Sequence, residues 1–124
     1  MHMLYTNLNS NCFRKVDMCS KLIFNNTIAH PDRTLPFHDL VYVVSGGFNV
    51  IVENELIESR EDDIMFLPAY KHHYPHSNNL KNTSCYYIHF STDIKDDVIF
   101  NKPDKITNDF YCIPSKLNFK DNPK

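Results

Sequence analysis

His72, His73 and His76 fall within five residues of one another, just after the run DDIMFLP. Imidazole is the commonest metal ligand in proteins, so metal-assisted catalysis is the first chemistry this cluster raises. A zinc or iron site needs three or four converging donors. On an extended segment neighbouring side chains point to opposite sides, and Pro75 restricts the backbone inside the cluster. The triplet therefore does not converge on one ion by itself. The simpler expectation is that these histidines cap a strand and hydrogen-bond at a loop. The thiols offer no metal centre either. Cys12, Cys19, Cys85 and Cys112 form no C-x-x-C pair, which suits neither a zinc finger nor a disulfide scaffold. Free thiols in a reducing compartment are expected.

The elements that must position these groups fit one compact domain, since 124 residues are enough for a single core and hardly for two. Hydrophobic residues at 42% and charged residues at 23% are ordinary for a soluble globular chain. No apolar run approaches the length of a membrane span, and MHMLYTNLNSNCFRK lacks the apolar core of a secretory signal. A cytoplasmic protein without membrane contact is expected. The net charge of −2, with no stripe of Lys or Arg, lacks the basic footprint of a nucleic-acid binder.

Short apolar runs dominate: VDMCSKLIF, LVYVVS, FNVIV, ELIES, DIMFLP, SCYYIHFS and DFYCIP. Phe48, Val50 and Val52 alternate with Asn49, Ile51 and Glu53, the period of a half-buried strand. Ser45-Gly46-Gly47 and Glu53-Asn54-Glu55 stand where hairpins turn. No window sustains helical spacing. The spacing predicts an all-β sandwich or barrel, with a charged surface loop over 91–109 in which Val98-Ile99-Phe100 is a candidate short strand.

The order of these runs resembles a cupin, a double-stranded β-helix or jelly roll that encloses a ligand cavity. The second cupin motif is recognisable as Asp62-Asp63, Ile64 to Leu67, Pro68 and His73, with Asp62 and Tyr70 where the family has glycine. The first motif is not completed. Anchored on Gly46, its two histidines fall on Arg33 and Leu35 and its acid on Asp39. Anchored on Gly47, they fall on Thr34, Pro36 and Leu40. Asp39 and His73 alone remain as ligands, so no metal or other cofactor is expected. His38 would join only by a register slip that turns it to the other sheet face.

DRTLPFHDLVYVVSGG, then PAYKHHY, then YYIHFS is similar to the N-terminal effector-binding domain of AraC-family transcription regulators, over about residues 16–115. That resemblance implies an N-terminal arm at 1–15, polar enough to order only on binding, and a cupin sensor at 16–115. It makes 116–124 a linker towards a C-terminal helix-turn-helix domain, absent from these residues, through which alone DNA would be contacted. It also implies a homodimer, a small polar effector such as a sugar or small acid, and no catalysis. In sugar-responsive members the pocket positions match Arg33, His73, Tyr74 and Tyr87, and Cys85 and His89 share Tyr87's face by alternation. Other roles stay open. Arg33 can pair with Asp39 or Asp32, and Tyr87 and His89 can be hydrogen-bonded core residues. Two rivals remain, a metal-dependent cupin enzyme (a dioxygenase or isomerase) and a stand-alone cupin binding module.

Overall fold

The computed structural model describes residues 3–103 and 107–118. In chain order the strands are β1 (Leu4–Asn9), β2 (Val16–Ile23), β3 (Phe37–Ser45), β4 (Gly47–Val52), β5 (Glu55–Arg60) and β6 (Asp63–Leu67). After them come β7 (His73–Pro75), β8 (Ser84–Ser91), β9 (Asp97–Phe100), β10 (Phe110–Pro114) and β11 (Lys116–Asn118). Among the described residues there is no helix, and so none long and apolar enough to cross a membrane.

A five-stranded sheet runs β11-β6-β3-β8-β2, a three-stranded sheet runs β5-β4-β7, and β10-β1-β9 forms a third. All the pairings are antiparallel. This is the all-β architecture the apolar runs predict, in one small domain, and it matches the cupin-type jelly roll that their order resembles. Val41, Val43, Met65, Leu67 and Cys85 of the five-stranded sheet pack with Phe48, Val50, Val52 and Ile57 of β4 and β5. The alternation of Phe48, Val50 and Val52 thus marks the core face of β4, as period-2 spacing requires.

The turns follow residue chemistry. Glu53 and Asn54 join β4 to β5 with φ of 49° and 65°, the left-handed pair that a two-residue hairpin favours. Gly46 takes φ 70° between β3 and β4, and a Cβ on Gly47 would lie 2.1 Å from the Ser59 carbonyl oxygen. Asp62 and Tyr70, which stand where cupins have glycine, keep the glycine conformation at φ 68° and 63°.

Two segments differ from expectation. Within 1–15, expected as an arm ordered only on binding, Leu4–Asn9 is a strand paired with both β9 and β10, and Leu4 and Leu8 are buried. Part of the expected linker pairs as β11 with β6, while 119–124 lie outside the described residues. The candidate short strand in the charged loop, Val98-Ile99-Phe100, does form, as part of β9.

Candidate functional site

A cavity of about 320 Å³ lies against the inner face of the five-stranded sheet. Asp39 and Val41 of β3 and Cys85, Tyr87 and His89 of β8 face it, because residues two apart share a face. Opposite them runs segment 28–33, tied down at both ends. Ala29 bridges Asn78, the Asn79 N–H donates to the Ile28 carbonyl at 2.8 Å, and Arg33 bridges His73. Phe24, Phe48, Met18 and Leu22 make the apolar walls, while His30, Arg33 and Asn79 add polar groups.

The polar groups are linked but incompletely satisfied. Arg33 donates from Nε to His73 Nε2 at 3.3 Å and places its guanidinium 3.6 Å from Asp39 Oδ2. His89 Nε2 is 3.4 Å from Asp39 Oδ1, short of hydrogen-bond geometry, and Oδ1 has no hydrogen bond. Since His73 Nε2 accepts, its proton sits on Nδ1, a buried donor with no partner. Both side-chain amide atoms of Asn79, a residue 2% exposed, are likewise unpartnered. Among the described residues these are all the buried side-chain nitrogens and oxygens without a partner. Native interiors leave few such atoms, because each costs about 1–3 kcal/mol.

Protonation is set by burial. Desolvation pushes the His30 imidazole down to about 4, against the pull of its bond to the Pro31 carbonyl, with the Arg33 charge adding to the depression. Burial, then the neighbouring His30 and Arg33, push His73 down to about 3. Asp39 is raised by burial, which His89 and Arg33 oppose. Cys85 is pushed up to about 11 by burial and by Asp39, so it is a neutral thiol and not a nucleophile. At neutral pH His30 and His73 are therefore neutral imidazoles, beside the Arg33–Asp39 pair.

Cupins commonly hold a metal ion, and these residues do not fit one. The Arg33 guanidinium stands between Asp39 and His73, takes the ring nitrogen a cation would need, and repels positive charge. Among the described residues, no group of three His, Cys, Asp or Glu side chains is arranged around a common point. His38 points to the opposite face of β3. There its Nδ1 accepts from the Ala69 N–H and its Nε2 donates to Asp96. Asp96 also binds Arg14 and the main-chain N–H of Asn9 and Asp93, and this saturation holds its carboxyl well below the usual range. A second cavity, about 430 Å³, adjoins His38 and Asp96, but none of the orphaned atoms belongs to its lining.

Of the residues expected at the site, Arg33, Cys85, Tyr87 and His89 meet at the first cavity, and His73 lies behind them, bonded to Arg33. Tyr74 does not join them. It follows His73 on β7, so it faces the other way and stacks on His72 at 5.0 Å between ring centres. Sequence reasoning missed His30 and Asn79. A histidine before proline and an asparagine in a polar loop carry no periodic signal that would single them out.

No protein-family description matches the chain, and no curated protein does. Solved structures do. One is a candidate mannose-6-phosphate isomerase from Ralstonia eutropha JMP134, 19% identical, with a TM-score of 0.48, covering 72% of this chain and 84% of that one. Another is KdgF from a Halomonas species, 22% identical, with a TM-score of 0.48, covering 66% of this chain and 79% of that one. At such identity the likeness concerns the fold alone. The expectation of a domain without catalysis is nevertheless corrected: a similar structure bears an isomerase's name. The gaps at Arg33 and Leu35 argue against a bound metal, not against proton transfer by His89 and Asp39.

Proposed function

We propose that the cavity binds a small polar molecule, a sugar or small acid, held by Arg33, Asp39, Asn79, Tyr87 and His89. One observation carries this reading. The orphaned buried atoms belong to Asp39 and Asn79, which line the cavity, and to His73 behind it. A hydroxyl-bearing ligand satisfies such donors and acceptors, while Phe24 and Phe48 pack its C–H faces. The resemblance in 16–115 supports effector sensing, with binding shifting the populations of a dimeric regulator that reads DNA through a helix-turn-helix domain.

A second reading is favoured by the pair of His89 and Asp39, 3.4 Å apart on the cavity wall. There the His89 imidazole accepts a proton from a bound sugar and returns it at a neighbouring atom, an isomerisation with no net proton change.

A thermal-shift screen of sugars, sugar acids and small carboxylates tests the site. A ligand at a hundredfold excess over its Kd stabilises by about 2.7 kcal/mol. That shift should vanish in Asn79→Leu and fall in Arg33→Lys. A shift that survives both places binding elsewhere and sinks the proposal. NMR of the bound sugar over hours separates the two readings, since only the catalytic one changes the ligand, and His89→Gln should stop that change.

A further inference from the structure

We infer that β2 is the contact between two copies of this chain, paired edge to edge about a two-fold axis at Cys19. All eight residues of β2 are exposed, on both faces, although the strand carries Val16, Met18, Leu22 and Ile23. Val16 is 57% exposed, Met18 53% and Ile23 65%, more than an edge strand of a monomer normally leaves open. One side of the strand is used. The Phe24 N–H donates to the Thr83 carbonyl, and Leu22, Ser20 and Met18 stand opposite Cys85, Tyr87 and His89 of β8. By the alternation of an antiparallel ladder, the main-chain groups of Cys19, Lys21 and Ile23 then point the other way. No strand lies on that side among the described residues.

Charge selects both the occupant and the register. With the axis at Cys19, Asp17 of each copy lies opposite Lys21 of the other, twice over, and Cys19 meets its own equivalent. An axis at Lys21 would set like charges face to face, which antiparallel pairs avoid. Lys21 already lies over the Tyr86 ring, 5.5 Å from its centre, so its ammonium is held on the outer face of the sheet beside this edge. Asp17 sits at the bulge between Val16 and Met18, an irregularity that presents it apart from the β8 register. Across the axis Val16 faces Leu22, so these two exposed apolar residues cover each other twice over, while Met18 faces Ser20 and Ile23 faces Lys15. Exposed Ile88 and Tyr86 extend the apolar outer face beyond the strand. Met18 and Leu22 also line the cavity, which places the contact at the cavity's rim.

Sedimentation of the purified chain over a range of concentrations tests this, with circular dichroism melts confirming that each variant folds. The wild type should form a reversible dimer. Asp17→Lys alone, or Lys21→Asp alone, should weaken it by about tenfold, because each cross-strand repulsion occurs twice. The combined variant Asp17→Lys with Lys21→Asp restores both pairs and should recover most of the loss. In a Cys12→Ser, Cys112→Ser background, mild oxidation should link Cys19 to its partner. Opposed residues of a hydrogen-bonded pair are about 5.5 Å apart at Cα, within disulfide reach. Adding Cys19→Ser should remove the link but keep the dimer. A chain that stays monomeric, a dimer indifferent to the charge reversals, or a dimer that never links through Cys19 each overturns the inference.

Discussion

Arg33 and His73 are bound to each other twice, by a main-chain bridge with both N–H···O bonds near 3 Å and by Arg33 Nε donating to His73 Nε2 at 3.3 Å. That double attachment ties the segment crossing the cavity to β7. It also makes Arg33 part of the protein's own framework as well as a ligand contact.

Arg33→Ala should therefore destabilise the unliganded protein. It strands the Asp39 carboxylate, 3% exposed, and the His73 ring nitrogen. An abandoned buried polar group costs about 1–3 kcal/mol, read as a fall in the urea midpoint with an unchanged slope. In an Asp39→Asn background the same substitution should cost clearly less, because no carboxylate is left unpaired. Equal costs in the two backgrounds would show that Arg33 and Asp39 are not coupled.

Acid should weaken the fold through the cavity histidines. An unfolded imidazole titrates near pH 6.5. In the folded state His30 sits at about 4 and His73 at about 3. Between these values the unfolded chain binds protons that the folded one refuses, so stability falls as pH drops. The contribution is complete above about pH 6.5 and is lost towards pH 4 and 3. Asp39, raised by burial, runs the opposite way, so the His30 share is isolated by comparing wild type with His30→Gln. The variant should show a flatter loss of unfolding midpoint between pH 6.5 and 4. Identical curves would mean that His30 is protonated in the native state.

Tyr70 is a bulky residue at φ 63° and is 64% exposed. The left-handed conformation costs a residue with a Cβ about 1–2 kcal/mol. Tyr70→Gly should raise the melting point, partly offset by the greater freedom of glycine in the unfolded chain. Tyr70→Ala should bring no such gain, because alanine keeps the clashing Cβ. The Tyr70 N–H bond to the Leu35 carbonyl at 2.7 Å is available to all three residues, so the comparison isolates the conformation.

The strands with alternating Val, Ile, Phe and Tyr were legible in the sequence because one face of each is core. β1 was not, since LYTNLN buries polar Thr6 and Asn9 beside Leu4 and Leu8, and its partners β9 and β10 lie 90 to 109 residues away along the chain. For the site, alternation places Cys85, Tyr87 and His89 on one face, and the structure puts them against one cavity. Tyr74 was assigned with His73 by motif resemblance, although the same alternation sets neighbours on opposite sides. Asn79 was invisible for a different reason: asparagine in a polar loop reads as turn chemistry, and only packing reveals that its amide is buried.

Asn79 gives the sharpest test of whether the cavity serves a ligand. Its amide has a donor and an acceptor unpartnered in a residue 2% exposed, and nothing in the free fold compensates for them. Its main chain does the structural work, donating to the Ile28 carbonyl at 2.8 Å, and that bond is independent of the side chain. Asn79→Leu keeps the backbone bond, has about the same bulk, and removes both orphaned atoms. If the amide exists to meet a ligand, the variant should be more stable than wild type when free, by about 1–3 kcal/mol, and should lose the ligand-induced rise in melting temperature. Such a trade, stability gained as binding is lost, is the mark of a residue kept for function. If Asn79→Leu instead lowers the stability of the free protein, the amide is satisfied by ordered water and belongs to the scaffold. Crystals of the free protein at high resolution would then show that water bound to the Asn79 amide.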